Sequence, residues 1–244
     1  MSEGTFVDAK KLFFRKIKYL IRRPMPPTIS PPFKGPVLVV GSAPVSHMPV
    51  DFDETFRVIT INGSQAVTKA WGIDSPHVTL MQHNQLNGTN TNAVDVRRVL
   101  CDQKTGTLYV LLWRKGKRRL ERRLKTFNYT YGNVQIVNRY ERMALLEKVS
   151  GLKMLELDKN SKCSNGVIAV LFALHNGATA VIITGINPNS GGHIYNDANL
   201  SRFHVKTDSE MLKRLLAKGY PVFTTDTEVS IAIGIPLWNG KIIQ

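Results

Sequence analysis

The sequence contains little cysteine, no long apolar run and few acidic residues. Its 244 residues include only two cysteines, Cys101 and Cys163, which excludes a disulfide framework and a cysteine-rich zinc site. No apolar run reaches the length of about 18 residues that a membrane-spanning helix needs. The first residues lack the apolar core and the small-residue cleavage site of a signal peptide, so we expect a cytoplasmic protein.

The shortage of acidic residues leaves the chain strongly basic. Lys and Arg number 33 against 18 Asp and Glu, which gives a formal net charge of +15. An excess of this kind indicates anionic partners, such as nucleic acid, acidic lipid or phosphorylated ligands. Residues 10–23 and 114–125 together carry as many cations as the whole excess, so the rest of the chain is nearly neutral.

Residues 10–23 have the pattern of an amphipathic helix. Its apolar face would contain Phe13, Phe14, Ile17, Leu20 and Ile21, and its opposite face Lys11, Arg15, Lys18 and Arg22. Such a helix either lies on an anionic membrane, here the inner face of the cytoplasmic membrane, or docks on its own domain with a solvated basic back. Pro24 ends the helix, and residues 24–35 are predicted to form a stiff proline-rich linker.

The second basic segment, residues 114–125, has fewer apolar residues. A solvated surface helix is the simplest interpretation of such a charge run. A second membrane-lying helix and an RNA-binding patch are the alternatives. No nucleic-acid-binding motif accompanies the segment, so no nucleic acid is expected as a partner.

From residue 36 to 244 the pattern predicts one α/β domain with a mainly parallel sheet. The predicted strands are 36–41, 56–62, 77–81, 107–113, 133–138, 180–185 and 220–224, and the main predicted helices are 65–71, 165–176 and 209–218. In such folds ligands bind beyond the carboxyl ends of the strands. A site is therefore expected among the residues at the ends of five strands: Gly41–Pro44, Asn62–Ser64, Met81–Asn84, Gly185–Asn189 and Thr224–Thr227.

These strand ends do not match the common nucleotide motifs. Gly41–Pro44 is neither a dinucleotide-binding glycine motif nor a Walker A loop. The second strand ends in Asn62 rather than in the acid that holds a ribose, which argues against dehydrogenases and methyltransferases. Backbone N–H groups of the loop and the amides of Asn62 and Asn84 could instead contact phosphate or sugar.

The most informative segment is 162–208. Ser164 and Asn165 are placed to cap a helix whose first N–H groups could bind an anion, although a plain N-cap looks the same. A glycine-rich stretch then predicts a mobile lid at about 188–204. His204 follows this lid and precedes a helix, which suits a general base, although a lone histidine is more often structural. Cys163 is interpreted as a small buried residue.

No metal site is predicted. The Asp51-Phe-Asp53 pair has the spacing of a metal-binding motif of sugar transferases, but it precedes the amino end of a strand. We therefore interpret it as structural. His83 and His193 lack the spacing of metal ligands.

Taken together, the motifs resemble those of the bacterial sialyltransferases of glycosyltransferase family 42. The loop Gly41–Pro44 is similar to the family's Gly-Asn-Gly-Pro-Ser loop, and Asn62 matches the asparagine that ends its second strand. The family's Arg-Ile-Thr-Ser-Gly-Val and Ser-Gly-Ile-Asp motifs look like 162–167 and 184–187. Its lid tyrosine and histidine resemble Tyr195 and His204.

The resemblance implies a Rossmann-like, GT-A-like sheet with helices on both faces, and an inverting enzyme that uses a CMP-activated sugar without a metal. His204 would be the general base and Tyr195 a second catalytic residue. The implied nucleotide-binding residues are Gly41, Ser42, Ala43, Asn62, Ser164, Asn165, Gly166, Gly185 and Asn187. Those implied for the donor or acceptor sugar are Gln82, Asn84, Lys162 and Asn189. The acceptor would be a glycan or glycolipid, as in lipopolysaccharide or capsule synthesis, and an oligomer is possible.

The sequence departs from the family at five of these positions: Ser42, Lys162, Asn165, Asn187 and Asn189. Lysine in place of arginine loses a bidentate grip on a carboxylate. The donor could therefore be another 2-keto acid sugar, such as Kdo, or the activity could be lost. Two other functions remain open: a magnesium-dependent phosphate- or pyrophosphate-transferring enzyme, and a non-enzymatic basic protein that binds RNA or membrane.

Overall fold

The computed structural model describes residues 3–153, 156, 162–196 and 204–240. Its seven strands are β1 (Pro36–Val40), β2 (Arg57–Ile61), β3 (Val78–Gln82), β4 (Lys104–Leu111), β5 (Thr130–Val137), β6 (Ala180–Thr184) and β7 (Val222–Thr224). They form one parallel sheet in the order β5-β4-β3-β2-β1-β6-β7. The predicted α/β class with a parallel sheet is confirmed.

The helices of the described residues include four that the sequence analysis did not single out: α3, α4, α6 and α9. The bounds are α1 (Glu3–Arg22), α2 (Gln65–Ala70), α3 (His83–Asn87), α4 (Thr91–Val99), α5 (Lys117–Lys125), α6 (Arg139–Ser150), α7 (Asn165–His175), α8 (Val205–Ala217) and α9 (Thr227–Ile233). No helix in this part of the chain is both long enough and apolar enough to cross a membrane.

The central strands are continuous apolar runs because both faces of the sheet are covered. Val37 and Val39 of β1 join one core cluster with α6, α7, α8 and α9. Leu38 and Val40 point to the other face and pack with α2. Under β3, β4 and β5 that second face is covered by α3, α4 and α5. This alternation along buried parallel strands confirms helices on both faces.

Both ends of helix α6 have residues that typically begin or end a helix. The Asn138 side chain accepts from the backbone N–H of Tyr140 and Glu141, while the Glu141 carboxylate accepts from the N–H of Asn138. This is a capping box. At the other end Gly151 takes a left-handed conformation. The helix could therefore have been predicted, and it later proves to carry a residue of the site.

The two basic segments are packed differently. In α5 the apolar residues Leu120 and Leu124 are buried under the sheet, and five of the six cations are exposed. The sixth, Arg123, donates to the carbonyl of Leu86 on α3. This is the solvated surface helix that the charge run favoured. The proline-rich segment after α1 lies against the domain: Phe33 is buried, and the N–H of Ile29 donates to Asn176 Oδ1 at 2.8 Å.

The Asp51-Phe-Asp53 pair has a local structural role. Asp53 Oδ1 accepts from both the N–H and the hydroxyl of Thr55, at 2.9 and 2.6 Å. These two hydrogen bonds keep the pKa of Asp53 below its usual value. The turn leads into the amino end of β2, at the sheet edge opposite the ligand edge, which agrees with the structural interpretation.

Candidate active site

The candidate site lies where the strand order reverses, between the carboxyl ends of β1 and β6. Gly41 follows β1 and Gly185 follows β6, and their backbones touch: a Cβ on Gly41 would lie 2.2 Å from the Gly185 carbonyl oxygen. The N–H of Ala43 donates to that same carbonyl at 2.9 Å. Only glycine permits this close approach of the two backbones. The crevice at the topological switch point lies above it.

A cleft of about 540 Å³ opens over these strand ends. Residues of several separate segments line it: Gly41, Ser42, Ile61, Asn62, Gln82, Gln85, Asn90, Asn92, Leu112, Arg142, Glu156, Lys162, Cys163, Ser164, Asn165, Gly166, Gly185, Ile186, Pro188, His193, Tyr195, His204, Val205 and Asp208. A volume of this size accommodates a nucleotide-sized ligand. The polar lining supplies amide, hydroxyl, imidazole and carboxylate groups.

The start of α7 forms one wall of the cleft. The Ser164 hydroxyl accepts from the N–H of Val167 at 3.3 Å, which confirms Ser164 as the N-cap. The N–H of Ser164 donates to Asp208 Oδ1 at 2.8 Å, so α8 holds this turn. By their position, the N–H groups of Asn165 and Gly166 have no carbonyl within the helix to bond, and they carry the positive end of the helix dipole.

A buried arginine of α6 fixes the same turn. Arg142 forms a buried ion pair with Glu156. Its guanidinium also donates to Asn165 Oδ1 at 3.1 Å and to the carbonyl of Cys163 at 3.3 Å. The remaining Nε–H has no partner among the described residues. Arg142 therefore sets the position of Asn165 at the cleft wall.

Asn62, the residue that follows β2, lines the cleft and has an unusual backbone conformation. Asn62 has φ of +52°, the left-handed region, which asparagine tolerates better than most residues. Its Oδ1 accepts from the N–H of Gln82 at 2.9 Å, which ties the ends of β2 and β3 together. Gln82 Oε1 is buried without a partner among the described residues. It is an acceptor that a ligand hydroxyl or amine could satisfy.

The first half of the expected lid, residues 188–196, packs against the cleft. Ser42 Oγ lies 2.8 Å from His193 Nδ1, and the N–H of Ile194 donates to the Ser42 carbonyl at 3.0 Å. The rings of His193 and Tyr195 stack with centroids 5.1 Å apart. Arg98 donates to the Tyr195 carbonyl at 3.0 Å. The remainder, 197–203, lies outside the described residues.

His204 also lines the cleft, at the residue before α8. It is partly exposed, so its imidazole is accessible to a ligand. Cys163 also lines the cleft, but it is buried. Burial raises the pKa of the Cys163 thiol, and the charges of Asp208 and Glu156 raise it further. This environment disfavours a thiolate nucleophile.

Cations surround the cleft beyond its lining. Burial lowers the pKa of His83, and the charges of Arg114, Lys115 and Lys162 lower it further. Burial also lowers the pKa of Arg139 at the start of α6, and Arg15 and Arg114 add to that effect. The carboxyl edge of the sheet therefore carries a basic rim, defined as Arg15, Arg114, Lys115 and Arg139, that favours anionic ligands.

We predict that acid destabilises the protein through His83. Its lowered pKa means that the unfolded state binds the proton more readily. Neutral His83 makes its full contribution to the stability of the folded state above the unfolded pKa of about 6.5. That contribution is lost as pH falls through the lower pKa of His83 in the folded state. Gln82 Nε2 lies 3.1 Å from His83 Nδ1, and in His83→Asn the amide oxygen can still accept from it. The melting temperature of this variant should therefore fall less between neutral and mildly acidic pH. An unchanged pH dependence would contradict the prediction.

The structure brings together most of the site residues inferred from the sequence. Those that line the cleft are Gly41, Ser42, Asn62, Gln82, Lys162, Ser164, Asn165, Gly166, Gly185, Tyr195 and His204. They come from seven segments separated by up to 163 residues. The rule that ligands lie beyond parallel strand ends pointed to Gly41, Ser42, Asn62, Gln82 and Gly185. The predicted helix start, the expected lid and the motif resemblance pointed to the others.

Four inferred residues do not line the cleft. Ala43 is buried, and Asn84 is exposed on α3. Asn187 is buried and uses its side chain within the fold: Nδ2 donates to Glu228 at 3.2 Å, and Oδ1 accepts from the N–H of Asn189 at 2.9 Å. Asn189 is exposed. The assignment of these four to ligand contacts is thus not supported by their positions.

The sequence analysis missed several lining residues, above all Arg142, Glu156 and Asp208. Arg142 lies on α6, whose capping box was a usable signal for the helix. Nothing in the sequence indicates that Arg142 and Glu156 pair, or that Asp208 reaches Ser164. Within the described ranges, no group of three or more His, Cys, Asp or Glu side chains is arranged to hold a metal ion.

No protein-family model matches the chain, and no curated protein sequence matches it. Solved structures do share its fold. The alpha-2,3-sialyltransferase Cst-I from Campylobacter jejuni is similar with a TM-score of 0.54 and 15% identity, covering 86% of this chain and 82% of that one. The sialyltransferase CstII from Campylobacter jejuni, in complex with the substrate analogue CMP-3FNeuAc, has a TM-score of 0.51 and 15% identity, covering 86% and 88%.

A further structure, of CST-II with a trisaccharide acceptor and CMP, has a TM-score of 0.52 and 13% identity, covering 86% of this chain and 88% of that one. At these identities the likeness is one of fold. It confirms the sialyltransferase-like fold that the motif resemblance implied.

Proposed function

We propose that this protein is an inverting glycosyltransferase that uses a CMP-activated sugar. The donor is sialic acid or a related 2-keto acid sugar such as Kdo, and the acceptor is a glycan or glycolipid. One observation carries the proposal: the cleft at the switch point collects Asn62, the start of α7 and His204 on a fold shared with CMP-binding sialyltransferases.

The nucleotide and its phosphate would bind between β1, β2 and α7. The N–H groups of Gly41 and Ala43 donate within the fold, to the carbonyls of Thr184 and Gly185, so the loop would contact the ligand through Ser42. Asn62 offers an amide donor. The N–H groups of Asn165 and Gly166 would face the phosphate. As CMP departs, negative charge grows on that phosphate, and fixed N–H donors stabilise the charge without reorganising. The hydroxyl of Tyr195 would assist them.

The donor sugar carries a carboxylate, which needs a cationic partner. Lys162 lines the cleft, and the basic rim beyond it reinforces the positive potential. A lysine holds a carboxylate as a point charge, whereas arginine holds it in a fork. Gln82 Oε1, a buried acceptor without a protein partner, would accept from a ligand hydroxyl or amine. Together these groups would orient the reacting carbon toward the acceptor.

The transfer itself would be a single displacement. The acceptor oxygen bonds to the anomeric carbon, the bond from that carbon to the phosphate oxygen breaks, and its electron pair leaves on CMP. The acceptor proton passes to a ring nitrogen of His204. Imidazole suits this step because it accepts a proton near neutral pH. This displacement and proton transfer need neither a metal nor a redox partner.

Thermal unfolding with nucleotides tests the proposal. A ligand at 100 times its Kd stabilises a protein by about 2.7 kcal/mol, which is readily measured. We expect CMP to raise the melting temperature with or without magnesium, and UDP, ATP and NAD to have little effect. Stabilisation by ATP that requires magnesium would favour the phosphate-transferring alternative. A lack of response to every nucleotide would contradict an enzyme of either kind.

Two variants sharpen this experiment. Asn62→Gly keeps the left-handed backbone accessible and removes the amide, so the CMP-induced shift should shrink. Asp53→Asn alters the remote turn before β2 and should leave the shift unchanged. Equal shifts in the two variants would show that CMP binds elsewhere.

A further inference from the structure

Helix α1 docks on the domain through its polar side. Tyr19 is buried against Met143 and Ala144 of α6, and its hydroxyl donates to Glu147 at 2.8 Å. The guanidinium of Arg22 lies 5.7 Å from the centre of the Tyr140 ring. Arg22 and Lys18 themselves are exposed, so α1 meets the domain along the flank of its basic face that carries Tyr19.

The apolar side of α1 consequently faces away from the domain. Phe13 is 60% exposed, Phe14 57%, Leu20 54% and Ile21 76%, and Met25 just beyond the helix is 78% exposed. At helical spacing the first four form one stripe with the partly buried Ile17. A surface helix of a globular domain normally turns such a stripe inward, as α5 does with Leu120 and Leu124. The apolar stripe of α1 therefore needs another partner.

The charges around the stripe indicate which partner this is. Lys10, Lys16 and Lys18 are exposed on α1, and residues 9–22 contain no acidic side chain. Two copies of the chain that paired through this helix would bring like charges together. An anionic lipid surface satisfies both features, because acyl chains accept the apolar side chains and lipid phosphates attract the lysines.

The C-terminal end of α1 packs near the carboxyl edge of the sheet. Helix α6, on which α1 packs, starts directly after the carboxyl end of β5, at the edge of the sheet that bears the cleft. Arg15 of α1 and Arg114 are each near enough to Arg139 for their charges to interact with it. The basic rim of the cleft therefore continues onto α1.

We propose that α1 lies in the plane of an anionic lipid leaflet, with Phe13, Phe14, Ile17, Leu20 and Ile21 inserted, and holds the cleft beside that leaflet. The leaflet would be the inner face of the cytoplasmic membrane. If the transferase function proposed above holds, the acceptor is lipid-linked and is presented from the same surface.

Co-sedimentation with vesicles tests the docking without any need for activity. The full chain should bind mixed phosphatidylcholine–phosphatidylglycerol vesicles and bind pure phosphatidylcholine vesicles much more weakly. Added salt should weaken the binding, because it screens the lysines. Equal binding to both vesicle types, or no binding to either, would overturn the proposal.

Single substitutions locate the surface. Ile21→Glu should lower the vesicle partition coefficient roughly tenfold or more, because it places a charge in the inserted stripe. Lys18→Gln should lower it about fivefold on anionic vesicles only. The matched control is Ile231→Glu on α9, next to the opposite edge of the sheet, where Ile231 is 81% exposed. All these side chains are exposed, so the melting temperatures should not change.

Two results would redirect the assignment. Equal loss in Ile21→Glu and Ile231→Glu would place binding away from α1 and overturn the proposal. A dimer of the wild type that Ile21→Glu dissociates, without vesicle binding, would assign the stripe to a second copy. Vesicle binding without any sugar transfer would leave the docking intact and contradict only the transferase function.

Discussion

Replacing His204 by alanine is expected to lower kcat for sugar transfer by about 10²–10⁴-fold, the usual contribution of a general base. The imidazole lines the cleft beside α8 and is accessible, whereas Cys163 is buried with a raised pKa. Alanine removes the proton acceptor and leaves the nucleotide contacts of β1, β2 and α7 in place. CMP should therefore still raise the melting temperature of the variant.

The measurement is single-turnover transfer to a soluble acceptor across a range of pH. Transfer by His204→Ala should be slower than that of the wild type at every pH at which the wild type is active. His175→Gln, at the end of α7 outside the cleft lining, is the matched control. Near-normal kcat in His204→Ala would exclude it as the base, whatever CMP does.

Replacing Arg142 by methionine is expected to destabilise the protein by about 3–5 kcal/mol, the usual cost of breaking a buried ion pair from one side. Both partners are almost fully buried, and Glu156 would be left as an uncompensated charge. The loss would be measured by urea unfolding. The double variant Arg142→Met with Glu156→Leu should recover most of it, because no buried charge remains.

A second readout separates the positioning role of Arg142 from its contribution to stability. Arg142→Lys keeps the charge but loses the fork that reaches both Glu156 and Asn165. Under conditions where this variant is fully folded, CMP should bind more weakly, because the start of α7 is no longer fixed. Unchanged CMP affinity would make Arg142 a stabilising residue only. Wild-type stability in Arg142→Met would contradict the ion-pair argument.

Local patterns in the sequence determined much of this protein. Apolar runs such as Val37–Val40 define buried parallel strands because both faces must be covered. Glycine at positions 41 and 185 was needed for the close contact of β1 with β6. Ser164 could be predicted as an N-cap because a serine hydroxyl accepts a hydrogen bond from one of the first N–H groups of a helix, which have no partner within the helix. Each of these features depends on a residue and its near neighbours in the chain.

Contacts between distant segments were decided only by the tertiary structure. The pairing of Arg142 with Glu156, and the reach of Asp208 to Ser164 across 44 residues, depend on how α6, α7 and α8 pack. No local pattern in the sequence predicts those contacts. A buried charge needs a partner, but its neighbours in the chain do not indicate which distant residue that partner is. Asn187 illustrates the converse, because its motif position suggested a ligand contact and the fold uses its side chain elsewhere.

Helix α1 shows this division most clearly. The sequence determined that the helix has an apolar face and a basic face, because both follow from its 100° periodicity. Periodicity is unchanged by rotation about the helix axis, so it cannot say which face meets the domain. The contacts of Tyr19 and Arg22 with α6 decide this, and they leave Phe13, Phe14 and Ile21 exposed.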